Sequence, residues 1–388
     1  MLQSEPLVPD RTTVEELVHR KKLEQLDWGC LFNSDKPGHS KNKWNGIDTN
    51  RSEALKDPAF FRGTTFWINE YMSVGHMMYD IALLQVLQTV KVDRIILQRA
   101  VCISANQCAG IGMFDSFFKG MYTAMIDAFH SEIPIYVRWS WQDRNMKPLY
   151  LSSNVHNNEY TVPIERRHPS FHLKPVTCME RVIRNPMRCT GCFHNTISPS
   201  AAARFKEVAY TLVTKDSIQE VPHTAPLVHH FQKSSPVVVT LAHRGVTATR
   251  HIHNLPFMID ILKEHFKQPA YAFRVVDTTN ITRGYAEQIR MVADAQVVIA
   301  EHGAFQSNVI YMRNGSLLVD LKGNYTNGEN RNFENLARMF GVFYAGVLTE
   351  GLQDHKWLSF NITKPDCESI VSTVNQYVAE KPYLFNLV

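Results

Sequence analysis

The stretch Val297–Leu321, VVIAEHGAFQSNVIYMRNGSLLVDL, decides how this chain folds. It begins with a short β-branched block, breaks at His302-Gly303-Ala304, continues through a polar-then-apolar segment, meets Asn314-Gly315, and ends on another apolar block. Two continuous apolar blocks joined by a helical segment read as a strand, a helix and a parallel strand, buried on both faces. The same alternation extends both ways from this unit. Upstream lie strand VVVTLA, loop HRGVTATRHIH, helix NLPFMIDILKEHF, strand YAFRVV and helix TRGYAEQIRMVADA; downstream come helix NFENLARMFG and strand VFYAGV. Repeated short strands with helices of about ten residues between them predict βαβ units on a parallel sheet.

The first half carries the same pattern less regularly. The segment from Thr64 starts strand-like and then places Val74, Met77, Met78, Ile81, Leu84 and Leu87 at helical intervals. VDRIILQ and IPIYVRW read as further strands, with GMYTAMIDAFH as the helix between them. Residues 143–200 show no clear period and read as loop-rich, and PSAAARFKEVAYTLV reads as a helix. The proline-containing segment 222–236 reads as a linker. A chain of 388 residues exceeds what one core usually supports. The expectation is therefore an α/β protein of two Rossmann-like lobes with parallel sheets facing across a cleft. Its parts are an N-terminal arm (1–60), a first lobe (61–225), a second lobe (226–364) and a C-terminal helix (365–388) that crosses back to the first lobe.

Composition narrows the function. The chain is 44% hydrophobic and 20% charged, with a formal charge of +4 that is not gathered into Lys/Arg blocks, which suits an anionic small ligand better than nucleic acid. No window approaches the roughly 18 uncharged apolar residues of a membrane span. The opening MLQSEPLVPDRTT lacks the apolar core of a signal peptide. Among seven cysteines, Cys189-Thr-Gly-Cys192 is followed by His194 but by no second pair at structural-zinc spacing. Sequons at Asn50, Asn280, Asn314, Asn324 and Asn361 matter only in a secretory compartment.

In an open α/β sheet the ligand sits at the carboxyl ends of the strands, which is where Glu301-His302-Gly303-Ala304 falls. Small residues there let a ligand approach the backbone, and the free amides and positive end of the following helix attract an anion. The dipole alone contributes about 0.3–1 kcal/mol, so arginines are needed as well. Arg244 and Arg250 stand on the loop after the first strand of the lobe, on the same edge. Asp320 ends the next strand within reach of a ribose. The lobe reads as a nucleotide diphosphate site, although such a turn can equally just reverse the chain, and Glu287, Gln288 and Asn308 can equally be surface or self-bonded residues.

Three elements together resemble glycosyltransferase family 61: Arg244, Arg250 and Asn254 at the spacing R-x5-R-x3-N; the pair Glu287-Gln288 on a helix; and the turn His302-Gly303-Ala304 with Ser307 and Asn308. Gly75-His76 with Asp80 one turn later is similar to the family's His-rich helix in the acceptor lobe. Phe305-Gln306-Ser307 stands where the family has Gly-Leu-Thr. The resemblance implies a GT-B fold and an inverting transfer from a UDP-sugar, such as a xylosyl or N-acetylglucosaminyl donor, to a glycan or glycoprotein acceptor. It places the donor in the second lobe and the acceptor in the first. The secretory lumen, Golgi or endoplasmic reticulum, is implied as well; a complete chain without a targeting segment would instead be cytosolic.

No Asp-x-Asp occurs, so the expectation is a reaction without a metal or other cofactor, the UDP-sugar being co-substrate, with Arg244, Arg250 and the helix amides taking up the diphosphate charge. His76, oriented by Asp80 four residues on, is the expected base, with Glu70 in reserve; a histidine on an apolar helix is otherwise a core residue. A catalytically inactive nucleotide- or glycan-binding protein of the same fold is the competing reading. A Rossmann dehydrogenase is disfavoured because no G-x-G-x-x-G opens either lobe.

Overall fold

The computed structural model describes residues 12–20, 24–26, 29–32, 47–48, 59–69, 81–99, 121, 124–129, 133–139, 147–151, 176–184, 197–216, 236–245, 251–278, 285–323, 331–349, 353–354 and 359–380. These fall into two compact units, one holding the described residues up to Ala201 and the other those from Ala202 onward. Each unit is α/β and has its own sheet.

In the first unit the strands are β1 (Glu24–Leu26), β2 (Gly29–Phe32), β3 (Ile47–Asp48), β4 (Ala59–Asn69), β5 (Arg94–Arg99), β6 (Ile133–Trp139), β7 (Lys147–Leu151) and β8 (Val176–Arg184). They run in the order β3-β2-β8-β4-β5-β6-β7, with β1 also on β8. The centre, β8-β4-β5-β6, is parallel, and β1, β2, β3 and β7 join antiparallel. Helices α1 (Val14–His19) and α2 (Leu83–Thr89) belong here, and residues 124–129 are helical between β5 and β6. α2 makes the crossover from β4 to β5 and buries Leu83, Leu84, Val86 and Leu87. The segment read as an arm thus supplies the helix Val14–His19 and three strands. The segment read as loop-rich contains β8, a central strand. Its sequence VTCMERVIR puts Glu180 and Arg181 in mid-strand, which masks the apolar run by which buried parallel strands are recognised.

The second unit follows the predicted alternation closely. Its strands β9 (Val237–His243), β10 (Tyr271–Asp277), β11 (Val297–Glu301), β12 (Leu317–Lys322) and β13 (Phe343–Leu348) are parallel throughout and ordered β10-β9-β11-β12-β13. Its helices are α3 (Pro199–Asp216, counted with the second unit from Ala202), α4 (Leu255–His265), α5 (Tyr285–Ala293), α6 (Asn332–Met339) and α7 (Lys364–Glu380), with a 3-10 helix at Ala304–Tyr311 and a small hairpin of β14 (Gln353–Asp354) and β15 (Ser359–Phe360).

Alternation along the strands decides which face each residue meets. Val239, Leu241, Val297, Ile299, Val319 and Leu321 join Met258 and Leu262 of α4 and Ile370 and Val374 of α7 in one core. Burying each such side chain contributes about 1.5–3 kcal/mol, so a one-residue slip of a strand, which would move this set off the core to the opposite face of the sheet, is disfavoured. α7 lies on α4 and β13, within the second unit. The 3-10 helix packs with α5 and α6. α3 is fixed by Phe205 against the rings of Tyr311 and Phe340, by Tyr210 Oη donating to the Tyr311 carbonyl, and by Lys206 Nζ donating to Asn314 Oδ1 (2.9 Å) and Phe340 O (2.5 Å). No helix among the described residues is long and apolar enough to cross a membrane.

Candidate functional site

The strand order of the second sheet reverses between β9 and β11: from β9 the chain first adds β10 on one side, then β11 on the other. At such a switch point the connections leave in opposite directions and open a crevice beyond the carboxyl ends of the two strands. β9 ends on His243 and passes to Arg244; β11 ends on Glu301 and passes to His302 and Gly303. Residues 57 apart in sequence therefore meet, and the Arg244 backbone amide donates to Glu301 Oε2 at 2.9 Å.

The Arg244 side chain lies over Gly303. A Cβ at position 303 would stand 1.9 Å from one guanidinium nitrogen and 2.8 Å from its central carbon. Gly303 also has φ +158°, where residues with side chains are rare. Glycine thus serves here to let a cation settle directly on the backbone of the turn. Beneath it, Glu301 is buried, and burial pushes its carboxyl up to about 8 against the pull of the Arg244 guanidinium and amide. Glu301 Oε1 has no hydrogen-bond partner among the described residues.

On the neighbouring strand β12, Asp320 is fully buried at the centre of a polar cluster. It accepts from His302 Nδ1 (2.9 Å to Oδ2), Gln306 Nε2 (2.6 Å to Oδ1) and Tyr344 Oη (2.6 Å to Oδ2). Gln306 also donates to the Ala300 carbonyl, and the His302 ring stands edge-on to Phe333 at 5.1 Å. Burial, reinforced by Asp320, raises the Tyr344 phenol far above its ordinary range, so it remains a donor. Three donors on one buried carboxylate hold the imidazole of His302 in a single orientation. Asp320 is accordingly an interior support of the turn rather than a group presented at the edge.

After Gly303 the chain forms a 3-10 helix over eight residues where an α-helix was expected. Runs of that length are uncommon, and the tighter winding brings successive side chains nearly into line every third residue. Gln306, Ser307 and Asn308 are all buried, and Ser307 Oγ and both amide atoms of Asn308 lack hydrogen-bond partners among the described residues. Buried polar atoms without partners are rare, and it is bound water, an ion or a ligand group that ordinarily satisfies them. Phe305 is 8% exposed, so its ring is packed inside.

The remaining predicted residues separate. Asn254 binds Ile362 reciprocally, its Nδ2 to the carbonyl (2.7 Å) and its Oδ1 from the amide (2.8 Å), and so fastens the β9–α4 loop to the segment before α7. Gln288 is buried and Glu287 half-buried on α5, which packs on the 3-10 helix. Ala304 opens that helix. Arg250, His76, Asp80 and Glu70 lie outside the described residues, as do Cys189, Cys192, His194 and most of the segment read as a linker. Sequence reasoning missed Glu301 as a partner of Arg244, although its place at the end of β11 was a usable signal. It also missed Gln306 and Tyr344 as holders of Asp320. Tyr344 enters through the pairing of β12 with β13, which no local pattern announces.

The model of the family described as Glycosyltransferase 61 matches residues 74–319, more than half of the chain, from the first unit into β12. No curated protein matches.

Proposed function

Since the chain belongs to glycosyltransferase family 61 and is therefore a glycosyltransferase, we propose that it moves a sugar from a UDP-sugar to a glycan or glycoprotein acceptor, with inversion and without a divalent cation, in the secretory lumen. The second unit holds the donor and the first the acceptor. The observation that supports this most is the Arg244 guanidinium lying on Gly303 at the β9/β11 switch point. A planar, permanently charged fork against bare backbone is suited to the oxygens of a diphosphate.

In the proposed reaction an acceptor hydroxyl attacks the anomeric carbon, its proton passes to His76 oriented by Asp80, and the bond from that carbon to the diphosphate oxygen breaks. Arg244, Arg250 and the amides after Gly303 take up the charge that appears on the departing diphosphate. Stabilisation of this kind from a single donor is worth about 10²–10³ in rate. His302, clamped by Asp320, presents an imidazole edge of fixed orientation, and Ser307 and Asn308 supply polar atoms along the 3-10 helix that have no partner among the described residues.

Hydrolysis of a panel of UDP-sugars, with and without EDTA, is the test. Turnover that survives chelation and falls about 10²–10³-fold in Arg244→Ala is expected. Loss of turnover on chelation would contradict the metal-free reaction, and nucleotide binding without any turnover would make the chain a binding module of the same fold. An Arg244→Ala variant as active as the parent removes the diphosphate assignment.

A further inference from the structure

Two histidines near this edge are arranged for a role that sugar transfer does not use. His251 and His253 flank Ile252, which makes an isolated parallel bridge to Phe360. The bridge is closed by His253 N donating to Phe360 O (3.0 Å) and Phe360 N donating to His251 O (3.1 Å). Extended backbone sends alternate side chains to opposite sides. Ile252 accordingly enters the core at 2% exposure, and both imidazoles project on the other side.

The imidazoles converge: His251 Nε2 lies 3.1 Å from His253 Nδ1, with ring centroids 4.6 Å apart and planes at 83°. On its far side His251 Nδ1 lies 3.0 Å from the hydroxyl of buried Ser359, which also accepts the His251 backbone amide at 3.3 Å. That contact allows Nδ1 to carry the proton and leaves the lone pair on Nε2, facing the neighbouring ring. A histidine held at its second nitrogen, with the first aimed at another donor, is the arrangement by which proteins orient metal ligands.

We propose that His251 Nε2 and His253 Nδ1 form a two-nitrogen site for an imidazole-preferring divalent cation, zinc being the probe of choice. Nitrogens that share one such ion, with bonds of about 2.0–2.1 Å, stand roughly 2.9–3.4 Å apart. The 3.1 Å observed lies within that span; in the proposed chelate the proton between the two nitrogens is given up and the exposed His253 ring turns so that both lone pairs meet at the ion. Imidazole ligands select zinc, copper and nickel over calcium and magnesium. Among the described residues no third His, Cys, Asp or Glu joins the pair, and the proposal is confined to these two nitrogens.

Titration calorimetry of the full chain, freed of any histidine tag, with zinc chloride and no sugar nucleotide tests the proposal independently of the donor reading. One zinc-binding event present in the wild type should vanish in His253→Ala and in His251→Ala. It should weaken about 10–100-fold in Ser359→Ala, which keeps both ligands and removes only the group behind His251. His253 is exposed, so its replacement leaves the core intact, and thermal denaturation of each variant checks that. Isotherms that are the same for the wild type and His253→Ala, or the absence of zinc uptake by the wild type, would overturn the proposal.

Discussion

At the scale of single residues, Gly303 and Asp320 are opposite kinds of support. In Gly303→Ala the new methyl would meet the far end of a flexible side chain, so Arg244 is displaced while the fold persists. The expected outcome is a modestly lowered melting temperature, from the strain of a side chain at this φ, and donor turnover reduced about 10²-fold, since misplacing a group by an ångström costs that much. Asp320→Ala acts on stability instead. It strips His302, Gln306 and Tyr344 of their shared acceptor in a buried setting, at about 1–3 kcal/mol for each unsatisfied group, and a urea titration should show a clear fall in midpoint. Glu301 gives a pH signature. With its carboxyl raised from 4.5 to about 8, the folded chain keeps a proton that the unfolded chain has released between those values. Its contribution is therefore fully present below pH 4.5 and is lost as pH rises through about 8. Glu301→Gln should flatten that decline, as read from urea midpoints across the window.

At the scale of elements, Lys206 reports how α3 is held. Burial pushes its ammonium from 10.5 down to about 7, so between these values the unfolded chain binds a proton that the folded one has given up. The sign is opposite to that of Glu301: stability gains from this group as pH rises from about 7 towards 10.5. Thermal melts of Lys206→Met over that range should lose the rise. The helix α3 was legible in PSAAARFKEVAYTLV, but nothing there hints that Lys206 is interior, because a lysine on a helix is ordinarily exposed and its acceptors, Asn314 and Phe340, come more than a hundred residues later. The elements of the second unit were legible because β11 and β12 are buried along their whole length and so read as unbroken apolar runs. β8 escaped for the reverse reason, with exposed Glu180 and half-buried Arg181 interrupting its run. The 3-10 winding after Gly303 also escaped, since apolar residues spaced for one helix type suit the other over so short a stretch.

For the whole molecule, the candidate site is a product of sheet order, and order is what a single sequence conceals. His302, Gly303 and Arg244 were recognised one by one, but the contact between Arg244 and Gly303 follows from β11 lying beside β9, a pairing between distant segments. If the second unit holds the nucleotide, hydrogen exchange on adding UDP should slow at the carboxyl edge, near residues 243–245 and 301–311, and leave the first sheet unchanged. Slowing confined to the first unit would refute that division of labour.

The position of β11 between β9 and β12 also bears on biogenesis. A nascent chain emerging from the ribosome makes β9 and β10 first, and these can pair at once, yet the edge that would cradle a diphosphate does not exist until β11 has slotted in and β12 has delivered the carboxylate that steadies His302. Premature termination ahead of β11 therefore yields a polypeptide with its arginine in place and nothing for it to rest against. Retention on an immobilised nucleotide would then sort fully synthesised, correctly threaded molecules from arrested ones.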